Sequence, residues 1–137
     1  MRITYDEFKE KAEARELNNS DGYKRIIEDL SEFYDEAKDF IFFYPRNLYN
    51  NEETEFIFFL KDGYLTVKKI KENYLYEQFK CKLLSKSLTK GKYEHGEHLL
   101  KLNFDNGKEL FFSSTIDANE YWGVVYTRAI IDLYKVM

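Results

Sequence analysis

Cysteine, proline and histidine are all scarce in this chain: 137 residues include one Cys, one Pro and two His. A single cysteine, Cys81, excludes an internal disulfide, and no Cys/His quartet exists to build the usual structural zinc site. Long apolar runs are missing too. The longest is about six residues against the ~20 that a membrane-spanning helix needs. The first sixteen residues are dense in charge and have no apolar stretch of the kind that opens a secretory leader. A reducing, cytoplasmic setting is therefore expected. No low-complexity tract occurs, and the only internal echo, Phe-Ile-Phe-Phe at Phe40 and again at Phe56, is too short to indicate duplication.

What the chain has in abundance is aromatic. Twelve Tyr and twelve Phe stand beside 34% charged residues, a composition that folds rather than one that stays disordered. The length suits a single domain over 1–137 that buries one substantial core without a staple.

Hydrophobic periodicity divides the chain in two. Thr4 and Glu7 have the spacing of a capping box ahead of Phe8, Ala12 and Leu17, predicting a short charged helix. After the break at Asn18–Gly22, Tyr23, Ile26, Ile27, Leu30, Phe33, Tyr34, Ala37 and Phe40 recur at helical spacing, predicting one long second helix. From Phe40 to Tyr44 the helical period is lost and the β-branched and aromatic run suits an extended chain, and Pro45 with the Asn47–Glu53 stretch breaks the pattern.

Strand signals follow. Thr54–Leu60 is a dense aromatic run, Asp62-Gly63 suits a two-residue type I′ turn, and Tyr64–Ile70 alternates as its partner. Leu75–Leu84 reads as a further strand whose parity falters at Ser85–Ser87, where a bulge or corner is expected. His98, Leu100, Leu102 and Phe104 alternate up to a turn at Asn106-Gly107, and Glu109–Ser113 returns beside them. The period then changes to helical: Ala118, Tyr121, Trp122, Val125, Ala129, Leu133 and Val136 share a face, with Asp117 and Glu120 spaced as a capping box. The expected fold is α+β: N-terminal helices over 1–40, a bent antiparallel sheet or partly open barrel of roughly six or seven strands, and a C-terminal helix packed on it.

Charge is uneven. Residues 1–60 sum to −7 and residues 93–137 to −3, whereas residues 61–92 carry nine lysines against three acids. Lys61, Lys68, Lys69, Lys71, Lys80 and Lys82 are thus candidate anion-binding residues for nucleic acid or an anionic lipid surface, with Tyr64, Tyr74 and Tyr76 available for stacking. The competing reading makes them solvated strand faces that guard sheet edges, since lysine without arginine offers no bidentate fork. Glu94-His95-Gly96-Glu97-His98 is the one cluster of imidazoles and carboxylates. It departs from a zincin helix in spacing and is interrupted by Gly96, so a loop with His98 turned inward is expected, and a divergent metal enzyme is the alternative. Cys81 shares the parity of Phe79 and Leu83, as a buried cysteine would. No phosphate loop, nucleophile elbow or interpretable triad is present, so neither an enzyme nor a cofactor is expected. Aromatic residues outnumber what a small core obviously needs, and Tyr44, Tyr49, Tyr74 and Tyr76 are candidates for a surface that binds a protein partner.

The succession of strands from Thr54 to Met137, the turns at Asp62-Gly63 and Asn106-Gly107, and the terminal helix with Tyr121, Trp122, Val125 and Leu133 resemble the pleckstrin-homology-like fold. The whole chain is similar to a family of small uncharacterised proteins from bacilli and their phages. Such families offer no assigned catalytic residues to carry over, and the expected role is a non-enzymatic binding or adaptor module acting through a protein partner. Lipid-binding members of the fold carry basic residues around the first hairpin, where this sequence has Lys61, Lys69 and Lys71 but no arginine.

Overall fold

Strand β2 (Glu55–Leu60) holds four consecutive buried residues, Phe56, Ile57, Phe58 and Phe59, and a run buried at both alternating parities must lie in a sheet covered on both faces. The computed structural model, which describes residues 2–137, has that arrangement. Four antiparallel strands, β1 (Phe40–Arg46), β2, β3 (Gly63–Ile70) and β4 (Asn73–Lys80), form one sheet in sequence order. Three more, β5 (Leu83–Thr89), β6 (Leu99–Phe104) and β7 (Glu109–Ser113), form a second. The seven strands are thus divided between two sheets, which do not close into a barrel.

One face of the first sheet carries Phe43, Phe56, Phe58, Leu65 and Val67, packed with Phe8 of α1 (Tyr5–Glu13) and with Ile26 and Leu30 of α2 (Ser20–Phe33). Tyr44, Ile57, Phe59 and Tyr64 on its other face share a core with Leu100, Leu102 and Phe112 of the second sheet and with α4 (Gly123–Val136). Two cores, rather than one, absorb the aromatic surplus. Inside the helix-facing core, rings meet at favourable offset geometries, among them Phe8 with Phe56 at 4.9 Å and Phe40 with Phe58 at 4.6 Å.

Several local features depart from the sequence reading. The second helix ends at Phe33 instead of reaching Phe40, because Tyr34 turns extended and sends its hydroxyl to Gln78 on β4 at 2.8 Å. A single turn, α3 (Glu36–Asp39), then leads into β1. Phe33 is 56% exposed. Pro45 does not interrupt the chain but sits within β1, which is tolerated because β1 is an edge strand. A register shift between Phe40 and Phe42 places Phe40 on the same face as Phe43.

The first hairpin turns at Lys61-Asp62, one residue earlier than expected, and Gly63 pairs with Leu60. Gly63 is required for another reason: a Cβ there would lie 1.8 Å from the Phe79 carbonyl oxygen of β4. The corner between the sheets falls at Cys81-Lys82, ahead of the Leu83/Ser85 register shift. Asp117 and Glu120 do not cap the last helix. Asn119 caps a 3-10 turn at Glu120–Trp122, its side chain accepting from the Trp122 N–H at 3.0 Å, while Asp117 is buried. The buried stripe keeps Ala118, Trp122, Ala129 and Leu133 of the expected face and adds Tyr126 and Ile130, both fully enclosed, while Tyr121 and Val136 stand in solvent.

Candidate functional site

The β-sheet register separates the lysines that the sequence groups together. Lys80 pairs with Gly63 at the start of β3, whereas Lys69 pairs with Tyr74 near its end, and six residues of strand span roughly 20 Å. Lys61, Lys80 and Lys82 therefore lie at one end of the first sheet, and Lys68, Lys69 and Lys71 at the other. Among the described residues the six lysines do not form one continuous basic face. Lys86 is committed elsewhere: its Nζ donates to the Tyr134 carbonyl at 2.8 Å, neutralising the C-terminal end of α4.

The four tyrosines proposed as a patch are likewise dispersed. Tyr44 is fully buried and cannot meet a partner; its hydroxyl donates to Asp117 Oδ2 at 2.7 Å. Tyr49 stacks face to face on Trp122 at 3.7 Å, with Lys11 Nζ over the Trp122 ring at 4.5 Å. Tyr76 is half-buried beneath α2 and donates to Asp29 at 2.6 Å. Burial and that contact push its phenol well above the ordinary value. Tyr74 borders a cavity.

The two histidines occupy different environments. His98 is buried, its Nδ1 2.9 Å from the Gly96 carbonyl and its backbone N–H donating to Ser114 Oγ at 2.9 Å. His95 is exposed and stacks on Tyr93. Among the described residues, no three His, Cys, Asp or Glu side chains come together as a metal site. Cys81 is buried at the sheet corner, and burial pushes its thiol pKa up, away from the range of a reactive thiolate.

Two concavities stand out among the described residues. The larger, about 820 Å³, runs between the start of α1, the strand β1 and the Val125, Arg128, Ala129 and Asp132 stripe of α4. Its floor is the outer edge of β1. The Pro45 carbonyl accepts from Tyr126 and the Asn47 N–H donates to Asp117, both away from β2. Because the pattern alternates along a strand, Phe43 presents its N–H and C=O outward as well. Among the described residues, neither group has a hydrogen-bond partner on that side. Ile41, half exposed, supplies apolar surface beside it. Charges of both signs rim the groove. Lys9 Nζ donates to Glu36 at 2.7 Å, and although burial lowers the Lys9 pKa, Glu36 outweighs it and holds the ammonium above its usual range.

The smaller cavity, about 340 Å³, lies between the start of α2 and the β3–β4 hairpin, lined by Lys68, Lys69 and Lys71 with Asn19, Tyr23, Glu53, Thr54 and Tyr74 among others. Gly22, in the first turn of α2, faces the Tyr74 hydroxyl. A Cβ there would sit 2.3 Å from that oxygen and 2.6 Å from Asn19 Nδ2, which explains a residue that costs a helix roughly 1 kcal/mol relative to alanine. Sequence reasoning found the lysines but not this pocket, since nothing local announces that α2 will lie across the hairpin.

Fold and concavities define a small α+β domain with a groove along the outer edge of β1 and a pocket lined by three lysines. The chain belongs to a family of proteins of unknown function (DUF3908), whose model matches residues 3–128. No curated protein and no solved structure matches it. Among the described residues, no helix is long and apolar enough to cross a membrane.

Proposed function

We propose that this chain is a non-catalytic binding module, pleckstrin-homology-like in build, that takes an extended segment of a protein partner along the free edge of β1. One observation carries the reading: the outward N–H and C=O of Phe43 lie unpaired in a groove walled by α1 and α4. An exposed strand edge is a template for strand addition, in which main-chain hydrogen bonds give affinity and neighbouring pockets give selectivity. Ile41 and the Val125–Ala129 stripe offer the apolar contact, and Arg2, Lys9, Arg128, Asp6 and Asp132 the polar rim. Support for the pleckstrin-homology-like assignment comes from the four-plus-three division of strands followed by a helix. A cytoplasmic role and a connection with bacilli and their phages belong to the same proposal.

Linear peptides selected from a random display library provide the test. Selected peptides are expected to shift the amide resonances of Ile41–Phe43 and Val125–Ala129, to slow exchange of the Phe43 amide, and to lose affinity in Ile41→Asp. Peptides that map to another surface, or a selection that yields none, would sink the proposal.

A further inference from the structure

We propose that the pocket between α2 and the β3–β4 hairpin is a binding site for a phosphate monoester, independent of the β1 groove. Three lysines line it against one carboxylate, Glu53. Among the described residues, none of Lys68, Lys69 and Lys71 lies within 4.0 Å of a carboxylate oxygen, while nearby Glu55 is already engaged by Arg46 at 2.9 Å. The local charge is therefore positive and unneutralised in a protein whose net charge is −4. Polyanions are opposed by that overall charge and by the separation of the two lysine groups, but a single dianionic group responds to the pocket itself.

Neutral donors complete the wall. The Asn19 side chain makes no capping hydrogen bond to α2, and the first turn of that helix favours negative charge beside it. Asp21 in the same turn is held by Arg15 at 2.9 Å. The Tyr74 hydroxyl is kept at the pocket by the space that Gly22 leaves. Lysine binds phosphate as a point charge, so the absence of arginine is no obstacle to a single phosphate. Lys71 holds a left-handed backbone, φ 56°, at the tip of the hairpin. Tyr23, Ile26 and Phe56 supply apolar and aromatic walls for the organic body of a small ester, and about 340 Å³ fits a molecule of that size.

Amide-resolved NMR titrations with inorganic phosphate and adenosine monophosphate test the site, alongside sedimentation with phosphatidylcholine vesicles with and without phosphatidic acid. Either soluble probe is expected to shift Ser20–Tyr23 and Lys69–Tyr74, and the exposed pair Lys69→Ala/Lys71→Ala to weaken binding about ten-fold or more. The control pair Lys80→Ala/Lys82→Ala, at the far end of the sheet, is expected to bind as the parent does. Binding only to phosphatidic acid vesicles, lost in the Lys69/Lys71 variant, assigns the same phosphate chemistry to a lipid headgroup. The proposal is overturned if no probe acts on these residues up to millimolar concentration. Equal weakening in both variant pairs, the mark of diffuse surface charge, also overturns it.

Discussion

The hydroxyl of Tyr44 donates a 2.7 Å hydrogen bond to Asp117, a residue 73 positions further along, and that bond ties the edge strand of one sheet to the segment leaving the other. The same carboxylate accepts from the Ser113 N–H at 2.9 Å and faces Arg46 Nε at 3.3 Å, so it joins β1, β7 and the approach to α4. Tyr44→Phe removes one donor from a buried acceptor and is expected to cost ~1–3 kcal/mol in denaturant unfolding. A midpoint equal to the parent's would show that the contact contributes nothing.

Asp117 also sets an acid-side signature. Burial raises its pKa, only partly offset by Ser113, Arg46 and Tyr44. A carboxyl with a raised folded-state pKa contributes stability that is fully present below the ordinary value of 3.8 and is lost as pH rises through the folded value. The parent's advantage over Asp117→Asn is therefore expected to grow on acidification. An advantage that shrinks towards acid would show the carboxylate to be stabilised rather than penalised by its site.

Alkali should unfold this protein abruptly. Tyr5, Tyr23, Tyr34, Tyr44, Tyr49, Tyr64, Tyr76 and Tyr126 all have phenols pushed above the ordinary value of 10, in each case by burial first, Tyr64 to about 12, although Thr54 at Tyr23 and Lys11 at Tyr49 act against the rise. Their contribution is intact below 10 and is lost as pH rises through the folded values. The phenolate absorbance of these eight is expected to rise in one cooperative step that coincides with loss of circular dichroism. A gradual titration centred on the ordinary value, with the fold intact, would contradict this burial.

Trp122 lies 7% exposed between Tyr49 and the core, and Trp122→Ala is expected to destabilise the protein by ~3–5 kcal/mol. The adjacent Tyr121, 75% exposed, is expected to tolerate alanine with little change. Similar effects at both positions would mean that the 3-10 turn is placed differently.

Zinc, manganese or nickel should leave the melting temperature unchanged, because a ligand that binds only the folded state must raise it. His98 is already bonded within its own loop and His95 stands apart in solvent. A saturable rise abolished by His95→Ala would restore the metal-enzyme alternative.

Local pattern alone determined the element types: the alternation from His98 to Phe104, the helical spacing before and after the strands, and the excess of lysine in residues 61–92 are all legible without coordinates. Period and turn chemistry act over a few residues, so a sequence states them directly. It could not say that Tyr34 leaves the helix for Gln78, that Asp117 serves the core instead of a helix end, or that the aromatic residues fill two cores on opposite faces of one sheet. Nor could it divide the lysines, because neighbours in sequence become neighbours in space only through strand register and the placement of α2. Contacts across 44 or 73 residues depend on how whole elements pack, and the groove along β1 and the pocket at Lys68, Lys69 and Lys71 exist only once that packing is complete.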